Sequence, residues 1–538
     1  MSNQIHIIQN AITTTISEIF RGDFRRICEV KKAVLHLEAI YFCHGTCYLL
    51  KRENMPIKDQ LALYQRIELI PQSTTEFFEN NRECIINNWP EESALAAKPE
   101  ILYDALLASE FCVQPERVGY KIDKVSRDIA GAYYTSSDFS AQITYRALES
   151  YMDRKRRRAI DSDSFACCNE YENITFLDYS CGCGEFLLAV IQYFDNYVLG
   201  YSRKKLATQL RGVDVNPIAL MITIARIVST VEAEDDENLL REVAKNFIVG
   251  NPLLHSDKIA PLEVRFDNFA LNRLYAETEG INCLELEQQN LVVLGNPPWE
   301  KLRFEEQAFF RPVCPAISAI SQKNKREKEI KKLAVNWLEL LEYYQLLQDD
   351  YASVKKEIPK HPLLKVSLVG ELNTYAMFAE LASRLTEKDG FAAIIVKSAL
   401  VTSTCYSSCF RHFVNQGSLS EVFLFDNREK LFQIDSREKF CVLFFGGEHA
   451  GGIKVHYGLT KQEQILSSVP INVTSEELEL INPETGLLPN VADSKEFSFL
   501  LRTHRSLSVF AKEFPKCHFG RLVHLTAHAE HIGSKLIC

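Results

Sequence analysis

The chain has 538 residues, 46% of them apolar and 25% charged, and a formal net charge of −10. This is ordinary globular usage at a length beyond a single core, so two or three domains are expected and a disordered chain is excluded. No apolar run approaches the roughly 18 residues of a membrane span, and Met1-Ser2-Asn3-Gln4-Ile5-His6 lacks a basic region followed by an apolar stretch, so no membrane partner and a cytoplasmic location are expected.

Residues 1–115 read as a helical N-terminal region, with helical spacing in Ile12, Ile16, Ile19 and Phe20 and again in Ile101, Leu102, Ala105 and Leu106. The sixteen cysteines are scattered, and a reducing compartment leaves most of them as small buried residues. Cys43-His44-Gly45-Thr46-Cys47 comes nearest to a ligand cluster. Its flanks, Tyr41, Phe42, Tyr48, Leu49 and Leu50, read instead as a packed helix, and no metal site is expected. Glu29-Val30-Lys31 has the form of a Mg²⁺ nuclease pair, but Asp23 is too close upstream and the segment reads as helix. Further on, Arg154-Lys155-Arg156-Arg157-Arg158 suits a solvated helix end and a phosphate contact equally well.

Thr175-Phe176-Leu177-Asp178 reads as a strand, followed by the turn Tyr179-Ser180-Cys181-Gly182-Cys183-Gly184 and an apolar helix from Glu185-Phe186 onward. Gly182 and Gly184 permit close approach of backbone to a ligand. The turn has neither the third glycine of a dinucleotide fingerprint nor the Gly-Lys-Ser/Thr of a phosphate loop. A second strand, Leu210-Arg211-Gly212-Val213-Asp214, places an acid about 30 positions after the glycines, where a carboxylate can take both hydroxyls of a ribose. A third, Phe247-Ile248-Val249-Gly250-Asn251, reads as a strand ending in an amide side chain.

The fourth strand, Leu291-Val292-Val293-Leu294, runs directly into Asn296-Pro297-Pro298-Trp299. Two prolines fix φ and remove two donors, so the turn is stiff and its carbonyls point outward. The Asn296 amide and the Pro297 carbonyl form an acceptor pair for one exocyclic amino group, and Trp299 offers a face for a planar base. That set suits an amine nucleophile on a nucleobase. Residues from about 300 to 370 read as a helical insertion, including the charged run from Lys323 to Lys332 and the leucine-spaced run from Leu338 to Leu347. Its readings are a cover over the catalytic mouth, a surface along DNA, or a solvent-facing hairpin. The acidic chain turns basic at its end, where residues 501–538 carry six Lys/Arg and five histidines against Glu513 and Glu530.

With these landmarks the chain resembles the adenine-N6-specific DNA methyltransferases of restriction–modification and phage-exclusion (BREX-like) systems, over roughly residues 120–450. Gly131-Ala132-Tyr133-Tyr134-Thr135 resembles the separate cofactor motif of that family, with Ser136 where proline is usual. Tyr179 and Cys183 depart from the family's glycine loop, whereas Gly182 and Gly184 match it. Asn373-Thr374-Tyr375-Ala376-Met377-Phe378, Lys388-Asp389-Gly390 and the strand from Phe391 to Val396 resemble the helix, turn and strand after the catalytic loop. Leu431-Phe432-Gln433-Ile434-Asp435 through Phe440 resembles the last catalytic motif, whose phenylalanine faces the flipped base.

The resemblance implies an α/β, Rossmann-like S-adenosylmethionine-dependent methyltransferase sheet, with the catalytic domain over residues 116–460 and a linker and the start of a DNA-recognition region over residues 461–538. It implies transfer of a methyl group from S-adenosylmethionine to the adenine N6 of double-stranded DNA. Asn296, Pro297, Pro298, Trp299 and Phe432 would be catalytic. Tyr134, Thr135, Asp178, Cys181, Gly182, Gly184, Phe186, Asp214 and Asn251 would hold the cofactor, Thr135 and Asp178 at its methionine end and Asn251 at its adenine edge. The family continues into a long target-recognition part, so a partner chain or missing segment that reads sequence is also expected. The alternatives are an RNA or protein-glutamine methyltransferase using the same loop, and a catalytically silent DNA-binding subunit.

Overall fold

The computed structural model describes residues 2–96, 98–122, 135–161, 171, 173–257, 260–273, 280–282, 290–387, 389–446 and 451–507. Seven helices occupy Ser2–Leu107, centred on Ile27–Leu49, which is buried along most of its length. Cys43, His44 and Cys47 pack inside this helix region, with His44 Nδ1 3.0 Å from Gln60 Oε1, as the flanking aromatics predict. An antiparallel hairpin follows, β1 (Ser109–Gln114) and β2 (Arg117–Ile122), where the sequence pattern reads as helix up to residue 115.

The remaining strands are β3 (Thr175–Asp178), β4 (Leu210–Asp214), β5 (Phe247–Val249), β6 (Asn251–His255), β7 (Gly280–Ile281), β8 (Leu291–Gly295), β9 (Phe391–Lys397), β10 (Leu419–Asp426), β11 (Lys439–Phe445), β12 (Ile453–Leu459) and β13 (Ile471–Val473). Nine of them form one sheet in the order β5-β4-β3-β8-β9-β11-β10-β12-β13, while β6 and β7 pair separately. β5 through β9 run parallel, β11 is antiparallel to both neighbours, and β12 is parallel to β10. This is the Rossmann-like α/β sheet that the resemblance implies.

The reason lies in the apolar runs. β8 is buried at every position, as a parallel strand covered on both faces must be. Helices Glu185–Tyr197, Pro217–Thr230 and Thr374–Leu385 cross over between strands and bury most of their own side chains. The chain proceeds outward from β3 to β4 and β5, then returns to place β8 on the other side of β3. The strand order therefore reverses between β3 and β8, and the crevice outside their carboxyl ends is where such sheets bind ligands. The insertion forms helices Glu306–Val313, Lys323–Asn336 and Leu338–Glu357, and Trp337 Nε1 ties it to the N-terminal region through the Arg25 carbonyl at 2.7 Å. Among the described residues no helix is long and apolar enough to cross a membrane. The basic tail beyond residue 507 lies outside the described residues.

One element of the basic run lies inside the fold. Arg154, on helix Ser137–Asp161, is buried and donates to the carbonyls of Asp389 (2.6 Å), Gly390 (2.8 Å) and Gly446, and its guanidinium lies 5.4 Å from the Tyr151 ring centroid. It pins the entry to β9 against the exit of β11, so it is neither a solvated end nor a phosphate contact. Replacing it removes the donor from three main-chain carbonyls. Arg154→Met should cost about 3 kcal/mol, seen by scanning calorimetry as a lower melting temperature.

Candidate active site

The glycine turn is shaped by hydrogen bonds to its own backbone. Cys181 N donates to Val213 O at 3.0 Å and Gly184 N to Cys181 O at 2.8 Å, which folds the turn back over β4. Gly184 has φ +84°, and a Cβ there would lie 2.7 Å from Thr223 Cγ2, so only glycine fits against helix Pro217–Thr230. Gly182, at φ +49°, would meet nothing within 4 Å, so its outer side is open to a ligand. Thr223 Oγ1 donates to Gly182 O at 2.7 Å, and Arg226 donates to Cys183 O while pairing with Glu185 Oε1 at 2.7 Å. Phe186, Cys181 and Cys183 are buried, and burial pushes both thiols up.

Asp214 closes the turn from the β4 side. Its Oδ2 accepts from Gly182 N and its Oδ1 from Asn216 N, both at 2.9 Å. Burial raises its carboxyl above the ordinary value in spite of these bonds. Asn216 caps the following helix through Ile218 N and donates from Nδ2 to Tyr103 Oη at 2.6 Å. Tyr103 belongs to helix Pro99–Leu107, whose Glu100 also lies 3.9 Å from Arg226 Nε. The N-terminal region thus braces the turn, a role that nothing in the local sequence signals.

Asp178 ends β3 beneath this turn. It is buried, its Oδ1 accepts from Ser180 N at 3.0 Å, and a Cβ on Gly295 would approach that oxygen to 2.8 Å. Burial, and to a smaller extent Asp214, pushes its carboxyl up to about 8. Tyr179 departs from the family pattern because it is a core residue, bonded through Oη to Phe378 O at 3.1 Å.

Asn296 follows β8 directly and donates from Nδ2 to Thr135 Oγ1 at 3.1 Å. Two sequence-predicted residues 161 positions apart thus meet at one point. The loop is held from the far side of the insertion: Thr374 Oγ1 donates to Pro298 O at 2.6 Å and accepts from Glu300 N at 2.9 Å, and Thr374 N donates to Glu300 O at 2.9 Å. Pro297 is buried.

The aromatic pair differs from expectation. Trp299 is only 5% exposed, donates from Nε1 to Ile395 O at 3.4 Å and stacks on Phe440. Phe432 meets Trp299 edge to face at 5.3 Å between centroids, so the two rings touch each other and leave no slot for a base between them. Phe432 is fixed by Asn427, whose Oδ1 accepts from Phe432 N at 3.0 Å and whose Nδ2 donates to Phe432 O at 2.9 Å. Asn251 also departs: β5 stops at Val249, and Asn251 opens β6, with its Oδ1 accepting from Leu253 N at 3.0 Å. An amide oxygen has a second lone pair, so it remains able to accept elsewhere. Tyr134 and the rest of its motif before Thr135 lie outside the described residues.

No family model matches this sequence, and no curated protein matches it. Solved structures similar to it include a DrdV–DNA complex, at 11% identity and TM-score 0.44, covering 88% of this chain and 46% of that one. A nuclease-deletion mutant of the Type ISP restriction-modification enzyme LlaGI with a DNA substrate mimic has 13% identity and TM-score 0.43, covering 86% and 34%. The methyltransferase subunit of a type I restriction-modification system from Streptococcus thermophilus has 11% identity and TM-score 0.35, covering 94% and 93%. This chain spans less than half the length of the first two.

Asp178 gives a pH dependence whose sign follows from its burial. Its carboxyl titrates near 8 in the fold against 3.8 when solvated, so the folded chain keeps a proton that the unfolded chain loses in that interval. Its contribution to stability is complete below about pH 4 and declines as pH rises through 8. Asp178→Asn keeps an acceptor for Ser180 N without the titration, so its melting temperature should fall less between pH 5 and 9 than that of the wild type. Parallel curves would mean that the carboxyl is ionised in the fold.

Proposed function

We propose that the chain transfers a methyl group from S-adenosylmethionine to the N6 amine of adenine in DNA, as the modification enzyme of a host-defence system. The observation that carries this reading is the contact between Asn296 and Thr135 at the carboxyl edge of the sheet, beside the Gly182–Asp214 turn. A residue suited to an aromatic amine and a residue suited to the cofactor's methionine end are joined there by one hydrogen bond.

The residues present fit the cofactor: Gly182 has an open outer side, Asp214 would take the two ribose hydroxyls, Asn251 would accept from the adenine amine, and Thr135 with Asp178 would hold the methionine end. The cofactor supplies an electrophilic methyl group on a sulfonium. Asn296 and the Pro297 carbonyl accept the two amine N–H bonds and so favour the nitrogen as it becomes tetrahedral. No strong base is required, and alignment of amine and methyl supplies on the order of 7–11 kcal/mol.

The target base must leave the duplex to reach Asn296. Trp299 is anchored on the sheet through Ile395 O, whereas Phe432 sits on the loop between β10 and β11. Base capture therefore moves the Phe432 loop and leaves Trp299 in place. Sequence reading by a further segment or partner chain belongs to the same proposal.

Radiolabelled methyl transfer to duplex DNA, structured RNA and protein tests the reading. Label is expected in DNA at adenine N6; label in RNA or a glutamine side chain would replace the substrate, and no label with intact cofactor binding would leave a silent DNA-binding subunit. Asn296→Ala should lower transfer by at least about 100-fold, the cost of one such acceptor, with cofactor affinity by calorimetry within a few-fold of wild type.

A further inference from the structure

A cavity of about 360 Å³ opens on the same edge of the sheet as Asn296 but farther along it, at the ends of β10 and β12 and against the segment from Pro489 to Ala492. Its lining residues include Phe425, Tyr457 and Asn490, with the acids Asp426 and Glu496 and the cations Arg428 and Lys439 around it. The Tyr457 Oη is buried and has no hydrogen-bond partner among the described residues. Its ring is fixed by stacking on Phe497 at 5.7 Å, so the hydroxyl is held in position. A buried, positioned hydroxyl of this kind calls for a polar partner.

The chemistry of the wall narrows the ligand. An amide and a phenol suit the polar edge of a heterocyclic base. Two cations lie nearby: Arg428 is highly exposed, with Nε 3.0 Å from Asp426 Oδ2, and Lys439 Nζ donates to Asn490 Oδ1 at 3.1 Å. Guanidinium and ammonium donors suit a phosphate. From β8, which leads to Asn296, to β10 there are three interstrand steps, about 14 Å at the usual spacing. That is roughly four base steps of stacked nucleic acid.

We propose that this cavity receives one nucleotide of the strand that carries the target base, with its base against Tyr457 and Asn490 and its phosphate at Arg428 and Lys439. This rests on the methyltransferase reading and extends it to a second contact. The loop bearing Phe432 starts beside Asp426 and Arg428 and returns at Lys439, so both of its ends line the cavity. A nucleotide seated there touches both ends of the loop that must move for base capture. Filling the cavity therefore favours the open loop and makes methylation depend on a neighbouring base.

The test uses the full chain and duplexes whose methylated position has been mapped, with an abasic residue placed in turn at each of about four positions on either side of the target. Wild type should show one position at which losing the base lowers kcat/KM about 10-fold, the upper end for a hydrogen-bonded contact. Tyr457→Phe and Asn490→Ala, which preserve the Phe497 stack, should be slower on the intact duplex and indifferent to that abasic residue, with unchanged cofactor affinity. A flat abasic profile from an active wild type, or variants that keep the wild-type profile, overturns the cavity assignment alone. Saturable binding of adenosine or guanosine monophosphate that Tyr457→Phe abolishes, alongside a flat profile, assigns the cavity to a free nucleotide and overturns the strand contact. A wild type that binds cofactor but methylates no nucleic acid overturns both this inference and the reading beneath it.

Discussion

Two backbone N–H groups, those of Gly182 and Asn216, converge on the carboxylate of Asp214, and the rest of the site is placed by that convergence. Pulling Gly182 toward β4 turns its carbonyl to Thr223 and brings Cys183 O to Arg226. The same carboxylate orders the start of helix Pro217–Thr230, whose cap residue Asn216 in turn engages Tyr103. A half-buried carboxylate is costly unless such donors surround it. The N-terminal helices supply part of that surrounding, which makes them structural neighbours of the turn and not a separate appendage.

The strands were legible because parallel strands covered on both faces are short apolar runs closed by a polar or turn residue, as Asp178, Asp214, Gly250, Gly295 and Lys397 close these. β3, β4, β5, β8 and β9 all fall where such runs lie. The site was legible where one residue type at a strand end suffices, as with Gly182, Asp214 and Asn296. Pairings across long sequence separations were not. Thr374 on the Pro298 carbonyl, Asn427 around Phe432, and Glu380, which accepts from Lys365, Val366 and Ser367, follow no local period. Nor does Arg154, whose basic neighbours suggest a surface while its own side chain spans two strand ends. The hairpin β1–β2 was missed because its alternation is interrupted and, among its residues whose burial is described, Val113 alone is buried.

Trp299 and Phe432 are brought together by the fold, but in a different relation from the one the motifs imply. Both lie at the expected strand ends, yet they sit among Phe139, Phe425 and Phe440 in one aromatic cluster. Aromatic pairs of this kind add stability beyond area burial, so closing the cluster is favourable when no base is present. Under the proposed base capture, the contacts that stabilise the closed arrangement would have to be broken, and the energy of the cluster would become a threshold that the base has to exceed. A well-paired base in a duplex would gain less from crossing that threshold than a mismatched or single-stranded one, since it also loses its pairing.

The insertion between β8 and β9 joins two strands that are adjacent in the sheet, with residues 296–390 between them. The entropic cost of closing a connection grows only logarithmically with its length, about 0.6 kcal/mol for each doubling. Lengthening this crossover at its exposed turns therefore costs the sheet little, whereas its helices are themselves packed, Trp337 on the Arg25 carbonyl and Tyr343 on that of Leu271. Its two ends are also stapled together, by Thr374 on Pro298 and Glu300 and by the bridge between Lys301 and Asn373. With the stem fixed next to Asn296, the exposed turns of the crossover are the places in this fold where new elements can be grafted beside the candidate site while the strand ends that form it stay as they are.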